Sequence, residues 1–134
     1  MLKPENINFI IIHCSDTPDT ENIGASEIHE MHLGFGWNGI GYHKIIKKNG
    51  LIENGRPEYW QGAHTFGKNH ESLGICLIGK NKFTSEQFNS LKIILNELLL
   101  KYPKAKIRGH CETIKTNKTC PNFDVQNWCK DRNL

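Results

Sequence analysis

The sequence predicts an α/β (mixed α+β) fold, a central mixed β-sheet flanked by helices, and three observations carry that expectation. Strand-length apolar runs alternate along the chain with stretches of helical periodicity, the order expected of a sheet covered by helices. The segment Leu73 to Ile78 reads LGICLI, and a strand apolar throughout is buried on both faces, which makes it central. Asn49-Gly50, between Gly41 to Ile46 and Leu51 to Glu53, is a strong short-range hairpin signal and adds an antiparallel pair.

The first strand is Ile7 to His13, rich in Ile and Phe and stopped by the turn-formers Ser15, Asp16, Thr17 and Pro18, which leaves His13 at its carboxyl end. From Ala25 to Leu33, Ile28, Met31 and His32 recur at helical spacing, and Gly34 and Gly36 end that helix. Beyond the hairpin and the central strand, Thr84 and Gln87 form a capping box for the longest helix. In it Phe88, Leu91, Ile94, Leu95, Leu98 and Leu99 follow the 3.6 period as far as Tyr102-Pro103. Ile107-Arg108 makes a brief strand leading to His110, and Asp124 caps a short last helix through Trp128. No repeat, low-complexity tract or linker divides the chain, so residues 1 to 134 are expected to form one domain.

At 134 residues such a domain buries roughly two thirds of its unfolded surface, enough for a core without staples. Apolar residues at 37%, charged residues at 23% and a mean hydropathy of -0.53 exclude both a disordered chain and a membrane protein. The net charge of +3 is scattered, its densest run being Lys44, Lys47 and Lys48, whereas nucleic-acid binders cluster a larger excess. We therefore expect neither a nucleic-acid partner nor membrane insertion; a monomer is also expected. The mild basicity suits an anionic polymer such as a cell wall as well as it suits a solvated surface.

The early apolar run from Phe9 to Ile12 is too short for a signal-peptide core, so the chain is expected to start in the cytoplasm. Five cysteines, an odd number without a CxxC pair, do not read as a secreted disulfide framework, and most are expected to be reduced thiols.

His13 and His110 each lie just past an expected strand, where open α/β sheets place ligand sites, and Cys120 follows on a turn-rich loop ending at Pro121. Two imidazoles and a thiolate suit zinc, and three protein ligands leave the fourth position of a catalytic site open. Spacing alone does not single them out, because 97 residues (110 minus 13) separate the two histidines.

Four segments do. IIHCSDTP, GWNGIGYHKIIKKNG, GAHTFGKNHESLGICLIG and IRGHCETIKTNKTCPNFD resemble, in order, the successive motifs of type 2 N-acetylmuramoyl-L-alanine amidases, a family that includes the lysozyme of T-odd coliphages and animal peptidoglycan recognition proteins. The resemblance spans nearly the whole chain. It implies a mixed sheet with flanking helices and one zinc ion per chain at one end of a groove, held by His13, His110 and Cys120. It also makes Tyr42, of the GYH motif, the catalytic tyrosine and Lys118 the lysine of a KxC pattern, while His64, Lys68 and Asn69 fall at groove positions that contact the stem peptide. His29, His32, His43 and His70 are expected to be surface or structural, and Cys14, next to a proposed ligand on a strand, is expected to face away from it.

The resemblance implies hydrolysis of the bond between N-acetylmuramic acid and L-alanine in peptidoglycan or in muropeptides. The chain would be a phage or prophage endolysin acting on the wall after release, or alternatively a cytoplasmic muropeptide-recycling amidase. Some recognition proteins of this fold bind peptidoglycan without cutting it, typically when the zinc cysteine is replaced; Cys120, Tyr42 and Lys118 favour the enzyme here. The coliphage relative also inhibits its phage's RNA polymerase, a regulatory role that stands here by analogy only.

Overall fold

The computed structural model describes residues 1 to 134. The elements run β1 (Phe9–Cys14), α1 (Ala25–Gly34), β2 (Lys44–Ile46), β3 (Ile52–Asn54), β4 (Ser72–Leu77), α2 (Ser85–Lys101), β5 (Lys106–Gly109) and α3 (Val125–Lys130). One five-stranded sheet has the order β3-β2-β4-β1-β5, so the all-apolar strand is central, as its composition predicts. β1 pairs in parallel with both β4 and β5, β2 pairs in parallel with β4, and only the β2–β3 hairpin is antiparallel.

Alternation along the strands divides the core. Ile10, Ile12, Leu73, Ile75 and Leu77 pack on one face with Leu91, Ile94, Leu95 and Leu98 of α2 and with Val125 and Trp128 of α3. Ile45, Cys76 and Ile78 form a smaller core on the other face with Ile40 and Ile28 of α1. Each large aliphatic side chain so buried contributes about 1.5–3 kcal/mol. The larger cluster therefore holds the sheet, and the thinner one leaves the α1 face open to a cleft.

The hairpin is shorter than its hydrophobic pattern suggests. His43 N–H still donates to Gly74 O, but Tyr42 O accepts from Arg56 N–H and Gly41 O accepts from Ala63 N–H, so the chain leaves the sheet before Lys44. That departure turns Tyr42 out of the ladder. The run of three lysines is not a surface patch either: Lys48 is buried, and its ammonium donates to Asp19 Oδ1 at 2.8 Å and to Lys82 O at 2.9 Å.

Thr84 caps α2 as expected, its Oγ1 accepting from Gln87 N–H at 3.1 Å while Gln87 Oε1 accepts from Thr84 N–H at 3.0 Å. The fully buried Gln87 amide also donates to Ile78 O at 2.8 Å and Ile46 O at 3.2 Å, tying the helix to two strand ends. Gln87→Leu leaves those buried acceptors without this donor, and we predict a loss of about 2 kcal/mol. Urea unfolding at an unchanged m-value checks it.

Candidate active site

The carboxyl ends of β1 and β5 lie side by side at one end of the sheet, and the site is built there. His13 is the penultimate residue of β1, His110 follows Gly109 at the end of β5, and Cys120 arrives on the loop that returns to α3. Their ligand atoms lie within 4.8 Å of one another, so the three could hold a metal ion. The donor set fits zinc: two nitrogens, one sulfur and a coordination position left over. They sit in the wall of an open cleft of about 1110 Å³ to which Tyr42, His64 and Lys118 also contribute.

Burial decides the protonation of this cluster. His13 is buried, and desolvation, then the neighbouring rings of His64 and His110, hold it well below the ordinary histidine value. Burial brings His64 down to about 3. His110 is lowered by burial and then by the charge of Lys118. All three rings are therefore neutral near pH 7 and can offer lone pairs. Tyr42, 5.1 Å from the His13 ring between centroids, is pushed well above its usual value by burial and stays a protonated hydrogen-bond donor.

Backbone groups fix the flanking histidines. His43 Nδ1 accepts from Gly74 N–H at 3.0 Å and its Nε2 meets Trp60 O at 2.7 Å. His32 Nδ1 accepts from Gly41 N–H, and His29 Nδ1 from Ile40 N–H, each at 3.0 Å. These histidines hold the loop that delivers Tyr42, the structural part expected of them.

The groove residues divide. His64 lines the cleft but is buried, with Nδ1 2.9 Å from His13 Nε2, so it stands behind a ligand candidate. Its ring lies over β4 where a Cβ on Gly74 would come within 2.6 Å of it, and glycine is required there. Asn69 Oδ1 accepts from His64 N–H and Thr65 N–H at 2.9 and 3.0 Å, which spends it on the loop backbone. Lys68 lies outside the cleft wall, its ammonium 3.9 Å from Glu71 and 5.1 Å from the Phe9 ring.

Cys14 does not stay clear of the site. Alternation governs a strand's middle, but Cys14 is the last residue of β1, and the Cys120 loop crosses the strand's end. Cys14 N–H donates to Cys120 Sγ at 3.2 Å, and the two sulfurs are 3.7 Å apart. Their hydrogen bond draws the Cys14 thiol down and pushes the Cys120 thiol up.

Sequence reasoning also missed two walls of the cleft. Phe35 and Trp37, 62% and 46% exposed, form an aromatic rim beside His32. Opposite, Lys80 and Asn81 sit on a loop that Asp19 gathers through the N–H groups of Lys80, Asn81 and Lys82. The helix-ending Gly34 and Gly36 could have pointed to the rim, because they free Phe35 and Trp37 from the helix; no local signal marks the loop.

This mixed sheet, with a two-histidine, one-cysteine triangle in a cleft at its strand ends, defines the class of peptidoglycan amidases and recognition proteins. Among solved structures it resembles the N-acetylmuramoyl-L-alanine amidase LysC from Clostridium intestinale URNW (TM-score 0.85, 32% identity, 100% of this chain and 91% of that one). It also resembles the bumblebee recognition protein PGRP-SA (TM-score 0.79, 26% identity, 94% and 81%). In sequence it is 41% identical to the endolysin of Escherichia phage T7 over 138 residues, 97% of this chain and 90% of the relative. The profile of the N-acetylmuramoyl-L-alanine amidases matches residues 3–123, and the chain belongs to that family.

The buried neutral rings make stability depend on pH. In the metal-free protein, His13 and His64 titrate below their unfolded value of about 6.5. Between the folded values and about 6.5 the unfolded chain binds more protons, so stability is full above that range and falls as pH drops through it. Each ring adds a slope of up to about 1.4 kcal/mol per pH unit. Urea midpoints from pH 7 to pH 5 should decline; a flat profile would mean that the rings are hydrated.

Proposed function

We propose that the chain hydrolyses the amide between N-acetylmuramic acid and L-alanine with one zinc ion held by His13, His110 and Cys120, while Tyr42 and Lys118 act on the scissile amide. The observation that carries this reading is the 4.8 Å triangle of ligand atoms in an open cleft, in a chain of the amidase family. When bound, zinc supplies a Lewis acid that polarises the amide carbonyl and makes water nucleophilic near neutral pH.

The remaining work belongs to the chain's own side chains. The protonated Tyr42 phenol donates a hydrogen bond to the substrate carbonyl. Lys118, at the cleft wall, brings a fixed positive charge to the negative charge that builds up on that oxygen, an effect worth a few kcal/mol in comparable sites. Phe35 and Trp37 exclude water from one side of the amide. Because Asn69 and His64 commit polar atoms to the protein, we assign the stem-peptide contact of this loop to the Lys68 ammonium, which is 34% exposed and suits a carboxylate.

Endolysin relatives that align along nearly the whole chain support a phage or prophage endolysin over a recycling enzyme, acting on the wall as one domain and one chain. Retention of Cys120 together with Tyr42 and Lys118 favours hydrolysis over binding alone. No helix is long and apolar enough to cross a membrane.

Two outcomes follow. Digesting sacculi should release new alanine amino termini and no new reducing ends, chelation should abolish this and zinc should restore it, as mass spectrometry of the products will show. Metal-free protein that still cleaved at full rate would remove zinc from the reaction.

Lys118→Ala should lower kcat by at least tenfold with zinc content unchanged, because the charge is needed mainly as the carbonyl oxygen becomes negative. Turnover and elemental analysis measured on one preparation decide it. Full activity would return Lys118 to the solvated surface.

A further inference from the structure

Behind His13 runs a chain of buried hydrogen bonds that the expected role of its members, contact with the stem peptide, does not account for. Ser72, fully buried at the start of β4, has its Oγ 2.7 Å from Lys68 O and 3.4 Å from His64 Nε2. His64 Nδ1 lies 2.9 Å from His13 Nε2. Thr65 Oγ1, also buried, is 3.0 Å from His64 Nδ1 and 3.2 Å from His13 Nε2.

Donor bookkeeping gives this chain a direction. A carbonyl only accepts, so Ser72 O–H points to Lys68 O, and the shorter of the two serine contacts is the one that uses its proton. Ser72 Oγ then has only lone pairs for His64, so the proton of the neutral His64 ring sits on Nε2. His64 Nδ1 is left as an acceptor, and His13 must donate to it from Nε2. The Thr65 hydroxyl fits the same direction, since its oxygen can share the His13 Nε2–H proton at 3.2 Å. The reverse direction would move the serine proton from a 2.7 Å bond to a 3.4 Å one. His43, the other imidazole beside His64, is satisfied by Gly74 N–H and Trp60 O and does not compete.

We propose that Ser72 and His64 are positioning residues which, through the Lys68 carbonyl, lock His13 as the Nε2–H tautomer and present its Nδ1 lone pair to the metal. This rests on the reading of His13 as a zinc ligand. A ligand ring whose second nitrogen is held by an acceptor is pre-oriented and more basic, and loss of such a partner typically costs 10–100-fold in metal affinity. The chain is sealed from water at Ser72 and His13, 0% and 2% exposed, so solvent cannot replace a missing link. A neutral imidazole, with one donor and one acceptor nitrogen, can pass this polarity from Ser72 to His13.

The test uses the full chain, with two-bond 15N–1H imidazole spectra of the metal-free protein and zinc affinity by competition with a chromophoric chelator. Wild type should show His13 protonated at Nε2 and unprotonated at Nδ1. Ser72→Ala frees His64 to reverse its tautomer, so His13 should become mixed or reversed and the zinc Kd should rise at least tenfold. His64→Phe keeps a ring over Gly74 but no nitrogen, and should weaken zinc similarly with native circular dichroism.

A wild-type His13 protonated at Nδ1, or a Ser72→Ala protein with wild-type tautomer and zinc affinity, would overturn the proposal. The metal-free spectrum decides the relay even if wild type binds no zinc, an outcome that would instead defeat the metal assignment.

Discussion

Parallel pairing of β1 with β4 on one side and β5 on the other puts the carboxyl ends of these strands at one end of the sheet, and the cleft depends on that register. His13 is held opposite Cys76 on β4, and Ile12 opposite Gly109 on β5, so His110 emerges one residue beyond the pairing and beside His13. Slipping β5 by one residue would turn its alternating side chains to the other face and break the triangle. The aliphatic core beneath α2 and α3 is therefore also what sets the spacing of the ligand atoms.

The price of that placement is a set of imidazoles taken out of water. His13, His32, His43 and His64 are all buried, and each has a polar partner: backbone N–H groups for His32 and His43, side chains for His13 and His64. Unpartnered polar groups at such depth would cost several kcal/mol in total. The hydrogen bonds offset that cost and leave the rings with fixed orientations, which a catalytic site requires more than it requires stability.

Much of this was legible in the sequence. The all-apolar LGICLI strand, the Asn49-Gly50 hairpin and the Thr84–Gln87 box carry local signals, and the structure has each of them, the strand within one residue of its expected place and the hairpin with a first strand that starts three residues late. His13, His110 and Cys120 were legible as a set only through the resemblance of whole motifs, because strands, not local spacing, bring them together. The closeness of Cys14 to Cys120 was hidden because Cys14 ends β1, where a loop distant in sequence crosses the strand. The commitment of Asn69 to backbone N–H groups, and of His64 to a buried chain of hydrogen bonds, could not be read from a loop whose composition suits solvent equally well.

The loop carrying Lys80 and Asn81 is gathered by Asp19, whose carboxylate takes the Lys48 ammonium and the N–H groups of residues 80 to 82 and is kept well below the usual carboxylate range, chiefly by Lys48; the Lys48 ammonium and the Asn122 amide hold the carbonyls of Lys82 and Lys80. Every one of those contacts to the loop is made to backbone. The outline of this wall is thus encoded elsewhere in the chain, and of its own side chains only Lys80 makes a contact, an exposed ion pair with Asp16 at 3.9 Å. Shape and surface chemistry become separate inheritances: the side chains of residues 80 and 81 can be exchanged while the backbone contacts keep the cleft's form.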